Sequence, residues 1–507
     1  MKQDRLAALE ALEAQVARDL AYLDYPARPW VPPRAHPDAP VYDVVIVGGG
    51  QAGLATAFGL MREKVDNILV VDRNPAGQEG PWTTFARMVT LRTPKHLTGP
   101  DLGIPSLTPR AWFEARFGDD AWMELGKWPK EVWQDYLIWY RRVLDIPVRN
   151  EWDLVEVLPE GPLLRLAIDT PAGPRTLMAR KLVLATGIDG AGRWHIPDFI
   201  RGVVPESRYA HTSEVIDFNR LRGKRIGVLG AGASAFDNAG TALEAGVTSV
   251  DLCLRRADIP RVNPYRWMEF SGFLGHFAAM PDIDRWRFMK HILDMNQPPP
   301  QDTFHRCARH PNFTFHTACP WEWVRMDSDG IHVATPKGVM IFDFLVVGTG
   351  FLVEAAYRPE VAAFANVIAT WEDKFTPPPG EASAVLARYP YLGDAFQFME
   401  RQAGTAPYLA NIHNFTFGAT LSMGLSGASI SGMKYGVSRL VQGVVRDLWM
   451  ADRQHFLNDL RCYDQPELVS TQWPASPPIS STPATAAPLP ASVSSFSAST
   501  PMVRARR

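Results

Sequence analysis

Gly48, Gly50 and Gly53 fall at GxGxxG spacing directly after the apolar run Val44, Val45, Ile46 and Val47. The chemistry served by this spacing is the binding of a dinucleotide pyrophosphate. The first glycine permits a tight turn, the second lets the backbone approach the phosphates, and the third lets helix and strand pack closely. The helix N-terminus then faces the negative charge. Asp72, followed by Arg73, ends the next apolar strand, where a carboxylate accepts hydrogen bonds from a ribose diol and repels a 2′-phosphate. A second set, Gly230, Gly232 and Ala235, has GxGxxA spacing, and Arg255 and Arg256 stand at the matching strand end. Two guanidiniums suit the 2′-phosphate of NADPH; a solvated basic strand end is the alternative. The acid at one site and the arginines at the other predict FAD in the first and NADPH in the second, the layout of a hydride relay.

The elements that must position these residues are two strand, glycine turn, helix, strand units, one from Tyr42 to Asp72 and one from Arg225 to Arg256. Two further apolar strands end in small-residue turns, Ala185-Thr186-Gly187 and Gly348-Thr349-Gly350, as expected where a chain leaves and re-enters a nucleotide domain. Leu6, Leu9, Leu12, Val16 and Leu20 form a helical stripe, and the proline-rich segment after it reads as an extended strap. The predicted fold is α/β with two Rossmann-like domains. Residues 1–40 are helix and strap, 41–204 the first part of the FAD domain, 205–344 an inserted NADPH domain, 345–463 the second part of the FAD domain, and 464–507 a disordered tail. That tail is rich in Ser, Thr, Pro and Ala, with little to build a core. The Trp-rich stretch from Trp82 to Trp152 reads mainly as aromatic core, with some rings free to line a cavity.

With 507 residues, 46% of them hydrophobic and 21% charged, the chain has room for two or three packed units. A formal charge of −2 gives no reason to bind nucleic acid or an anionic membrane. No apolar run is long enough for a membrane helix, and the charged amino terminus is unlike a signal peptide, so a cytoplasmic enzyme is expected. Cys253, Cys307, Cys319 and Cys462 form neither a CxxC pair nor a zinc spacing, and His291, His305, His310 and His316 have no ligand periodicity, so no metal is expected.

The order GxGxxG, ATG, GxGxxA, GTG resembles the class B flavin monooxygenases: the flavin-containing, N-hydroxylating and Baeyer–Villiger enzymes. The likeness spans roughly Tyr42 to Leu460. It implies that NADPH reduces FAD, that oxygen adds to the flavin as a C4a-(hydro)peroxide, and that one oxygen atom passes to a small organic substrate. His211 matches the histidine of the family's fingerprint, although Pro205 and Ser207 replace its Phe and Gly and Val215 its later aromatic residue. GPWTTFARMVTLRTPKHLT resembles the segment beneath the flavin, with Trp82 in the GxW position. Arg92 stands in the part where the flavin-containing enzymes commonly carry Asn. It suits an anion beside the flavin, an acidic substrate or a structural ion pair. Arg92 and His211 are the candidate catalytic residues; His211 could tune the hinge between domains, and a satisfied linker histidine is the alternative. Gly424, Leu425 and Ser426 lead into a C-terminal helix whose start, in the resembled fold, points at the flavin pyrimidine; a tightly packed Gly/Ser helix is the alternative. Arg261, Asn263 and Tyr265 are candidate cleft residues in the substrate-defining cover.

A non-oxygenating NADPH dehydrogenase or oxidase remains the competing enzyme, and a flavoprotein scaffold or redox sensor the non-enzymatic one. A disulfide reductase needs a CxxC or CxxxxC dithiol and is set aside. The partners expected are a small-molecule substrate and O2, with a homodimer left open.

Overall fold

The computed structural model describes residues 2–24, 28–96 and 98–468. Two compact units divide the chain, Met1–Arg453 and Gln454–Arg507. The site described below is lined by residues of the first. The expectation of a disordered tail falls, from residue 469 on, outside the described residues.

The first sheet grows around β1 (Val41–Val47), β2 (Ile68–Asp72), β3 (Val148–Asn150), β4 (Asp153–Glu160), β5 (Leu163–Asp169) and β6 (Arg175–Leu184), in the order β3-β2-β1-β6-β5-β4. Parallel ladders join β1 to β2 and β6, and β2 to β3; β4, β5 and β6 run antiparallel. Strand Ile412–Asn414 joins β6 in parallel from far along the chain. β1 and β2 are near-continuous β-branched runs because both of their faces are covered: Val44, Val45, Ile46, Val70 and Val71 are fully buried.

The second sheet is wholly parallel, in the order Phe313–His316, Ser249–Cys253, Arg225–Leu229, Phe344–Val347, Tyr209–His211. Connecting the two regions, Gly192–Trp194 and Phe351–Val353 pair antiparallel as a short ribbon. Helix α1 (Lys2–Tyr22) buries Val16 and half-buries Leu9, Leu12 and Leu20, as its stripe predicts, while Leu6 stays exposed. The strap after it is tied down by Arg34, which donates to Asp452 at 2.5 Å. Asp452 in turn takes Arg180 at 2.7 Å in a buried ion network.

The aromatic stretch is mostly core. Trp112, Trp128, Trp133, Tyr136 and Tyr140 are fully buried and in ring contact, whereas Trp82 and Trp152 face the cleft described below. Among the described residues no helix is long and apolar enough to cross a membrane, and no His/Cys/Asp/Glu cluster could hold a metal.

Candidate active site

Both glycine turns are held by the small-residue turns that follow later in the chain. Gly48 has φ +107°, and a Cβ on it would stand 2.6 Å from the Ala185 carbonyl oxygen. Gly230 repeats this with φ +100° and the Gly348 carbonyl at 2.3 Å. Each glycine N–H donates to the end of the neighbouring strand, Gly48 to Val71 O at 2.8 Å and Gly230 to Cys253 O at 3.0 Å. A Cβ on Gly53 would meet Gly48 O at 1.8 Å, so helix α2 (Gln51–Arg62) can lie on β1 only with glycine there.

One cleft of about 1010 Å³ runs between the two turns, at the upper end of small-molecule sites and suited to an extended ligand. Of the residues singled out from sequence, Gly48, Gly50, Asp72, Arg73, Trp82, Arg92, Thr186 and Gly187 line it from the first region. His211, Gly232, Ala235, Asn263, Tyr265, Gly350, Leu425 and Ser426 line it too. Gly53, Gly230, Arg255, Arg256, Arg261 and Gly424 do not. Gly53 and Gly230 act as packing glycines beneath the turns. Arg255 is exposed, Arg256 donates to the Asp294 carbonyl at 3.4 Å, and Arg261 pairs with Asp258 at 3.3 Å.

The cleft fits dinucleotides on its own terms. Helices α2 and Ala233–Glu244 begin at Gly50 and Gly232, and neither N-cap carries a side-chain hydrogen bond. A Cβ on Gly232 would meet nothing within 4 Å, and one on Gly50 only Gly80 at 3.9 Å, so both turns have open space beside them. Phosphates suit such helix starts. Asp72 is 6% exposed and accepts from Gly49 N at 2.7 Å and Asn74 N at 2.8 Å. Burial raises its carboxyl pKa, and these N–H bonds oppose the rise.

His211 ends the strand Tyr209–His211 and stacks on Trp194 with ring centroids 5.1 Å apart. Ser213 N–H donates to its Nδ1 at 3.2 Å, which places the imidazole proton on Nε2. Nε2 is buried and makes no hydrogen bond; the Gly350 main chain lies near enough to favour the charged form, yet not in bonding geometry. Burial pushes His211 down to about 4, so it is neutral at physiological pH.

Sequence reasoning missed several cleft residues. Asp189 accepts from Arg73 and from Trp194 Nε1 at 2.9 Å, while its carbonyl takes Arg358 at 3.2 Å. Its place two residues after the ATG turn was the available signal. Asp237, two residues past Ala235, pairs with Arg92 at 3.1 Å. Its position one helical turn after the second glycine turn, among Ala235, Phe236 and Ala239, could have marked it. All four cysteines are free thiols, none lines the cleft among the described residues, and Cys253 and Cys319 lie Sγ to Sγ at 3.9 Å beneath the second sheet.

Two glycine turns facing one cleft define the fold of a two-dinucleotide flavoprotein. Residues 45–269 match the family described as pyridine nucleotide-disulphide oxidoreductase. The chain is 47% identical over 471 residues to the FAD-dependent urate hydroxylase of Xanthomonas campestris, covering 92% of this chain and 98% of that protein. The fold is similar to an ornithine hydroxylase from Pseudomonas aeruginosa (TM-score 0.62, 16% identity, 80% of this chain and 100% of that one). It is likewise similar to an L-lysine 6-monooxygenase from Pseudomonas syringae (TM-score 0.61, 18% identity, 80% of this chain and 99% of that one). The chain belongs to the same family as that FAD-dependent hydroxylase, and is an FAD-dependent oxidoreductase.

Proposed function

We propose that the protein hydroxylates urate, using FAD, NADPH and O2. The observation that carries this reading is the 47% identity, over nearly the whole of both chains, to a urate hydroxylase. FAD, when bound, supplies the redox chemistry: two electrons arrive from NADPH, one atom of O2 enters the substrate and the other leaves as water.

Residues 41–204 and 345–463 hold FAD, and 205–344 hold NADPH. Gly48 and Gly50 bring backbone N–H groups to the FAD pyrophosphate, Asp72 takes the adenosine ribose, and Thr186, Gly187 and Gly350 flank the turns. Trp82 packs beside the flavin ring, and Leu425 and Ser426, before helix Ile430–Cys462, approach its other edge; these assignments draw support from their shared cleft. Gly232 and Ala235 receive the second pyrophosphate, and Arg255 and Arg256 its 2′-phosphate. His211, neutral and protonated on Nε2, offers one hydrogen-bond donor between the two ligands without introducing charge. Free thiols throughout fit a reducing cytoplasm.

The test is steady-state turnover of the FAD-loaded protein. Urate should accelerate NADPH oxidation and disappear in step with it, while ornithine and lysine should do neither. NADPH oxidation indifferent to urate, with hydrogen peroxide as its product, would instead favour an oxidase.

A further inference from the structure

Four buried polar side-chain atoms that make no hydrogen bond within the protein belong to cleft-lining residues: Arg92 Nε, Thr186 Oγ1, His211 Nε2 and Asn238 Oδ1. Of the twelve such atoms among the described residues, these four are the ones on residues lining the cleft, where a ligand group can complete the bonding.

Arg92 is the one among them whose charge is permanent. Its Nη2 donates to Asp237 Oδ2 at 3.1 Å, and its own carbonyl accepts from Arg266 at 2.9 Å. The Asp237 side chain is 4% exposed and also accepts from Thr303 Oγ1 at 3.2 Å, while that of Arg92 is 32% exposed. Asp237 is thus fixed from two sides and fixes one corner of the guanidinium. A guanidinium carries five N–H donors in a planar fork. The Nε corner has no protein partner, so donors remain for a ligand in the cleft.

We infer that Arg92 anchors the substrate through this free edge and that Asp237 is the positioning residue holding the fork in plane. The matching ligand is a planar amide-like anion with an oxygen and a deprotonated ring nitrogen side by side, as the urate anion presents. This rests on the urate reading above and names the residues that select for it. The pair also sets the substrate where the two nucleotide regions meet, since Asp237 stands on the helix that starts at the second glycine turn and Arg92 on the segment after the first.

The experiment is titration of the oxidised, FAD-loaded enzyme with urate, read from the flavin absorbance. Arg92→Gln should weaken urate binding roughly 10- to 100-fold, the loss of a charge-assisted contact. Arg92→Lys should recover little of it, because an ammonium cannot fork. Where Arg92→Gln does not load FAD, Arg92→Lys carries the test alone. Asp237→Asn should raise KM for urate more than it lowers kcat, with partial return in Asp237→Glu. Lys127→Ala removes an exposed bridge to Asp302 beside Thr303, 2.8 Å long, and should bind urate as the wild type does. Unchanged urate affinity in both Arg92 variants, or an equal loss in Lys127→Ala, overturns the inference while leaving the substrate reading intact. Wild-type enzyme that forms no urate complex overturns both.

Discussion

The Ala185 carbonyl oxygen lies 2.6 Å from the point where a Cβ on Gly48 would stand. The ATG turn thus closes the space behind the first glycine turn, and the backbone of Gly48 is held at φ +107°, where a side chain is strained. Gly48→Ala should therefore fold poorly around the turn and purify with less than roughly one-tenth of the wild-type FAD, a loss larger than that of a single hydrogen bond. The flavin-to-protein absorbance ratio measures it.

Asp72 tests the ribose assignment more gently. Both its oxygens already accept backbone N–H groups, so Asp72→Asn turns an NH2 toward one of them. FAD affinity should fall roughly tenfold, since a charged acceptor is lost and a donor faces a donor. Reconstitution of the apoprotein with FAD gives the constant.

Arg255 and Arg256 lie beyond the cleft lining, and their role is a question of electrostatic reach. The double Arg255→Ala, Arg256→Ala variant should reduce its flavin with NADPH roughly tenfold less efficiently and with NADH unchanged. Anaerobic stopped-flow reduction with each nucleotide separates a 2′-phosphate site from a solvated strand end.

His413 makes stability depend on pH. It is fully buried, its Nδ1 donates to the Ala395 carbonyl at 2.7 Å, and burial pushes its pKa to about 4. The unfolded chain binds this proton below the ordinary value near 6.5, so stability is complete above that pH and falls as pH drops from there to about 4. The loss is about 3 kcal/mol at its full extent. Thermal melts at pH 7 and pH 4.5 should show a smaller drop for His413→Gln than for wild type.

The parts of this site legible in the sequence are those fixed by local backbone geometry. Gly48 and Gly230 announce their turns because a side chain there would be strained at positive φ and would strike the carbonyl behind it, and Gly50 and Gly232 follow from their fixed spacing after them. Asp72 follows from its place at a strand end. The ATG and GTG turns stand out in sequence, yet only the fold shows Ala185 and Gly348 sealing the two glycine turns. Arg92 and Asp237 are 145 residues apart, and nothing in their spacing joins them. The clustering of Arg73, Trp194 and Arg358 on Asp189 is equally a product of tertiary packing. Cys253 and Cys319 meet only because parallel strands bring distant segments to one face.

Hydroxylation of urate is the central claim, and turnover of the FAD-loaded enzyme with NADPH and urate under 18O2, followed by mass spectrometry, tests it most directly. One 18O atom in the hydroxylated urate for each NADPH consumed is the predicted result. Consumption of NADPH and 18O2 with labelled hydrogen peroxide and unlabelled, unchanged urate would contradict it.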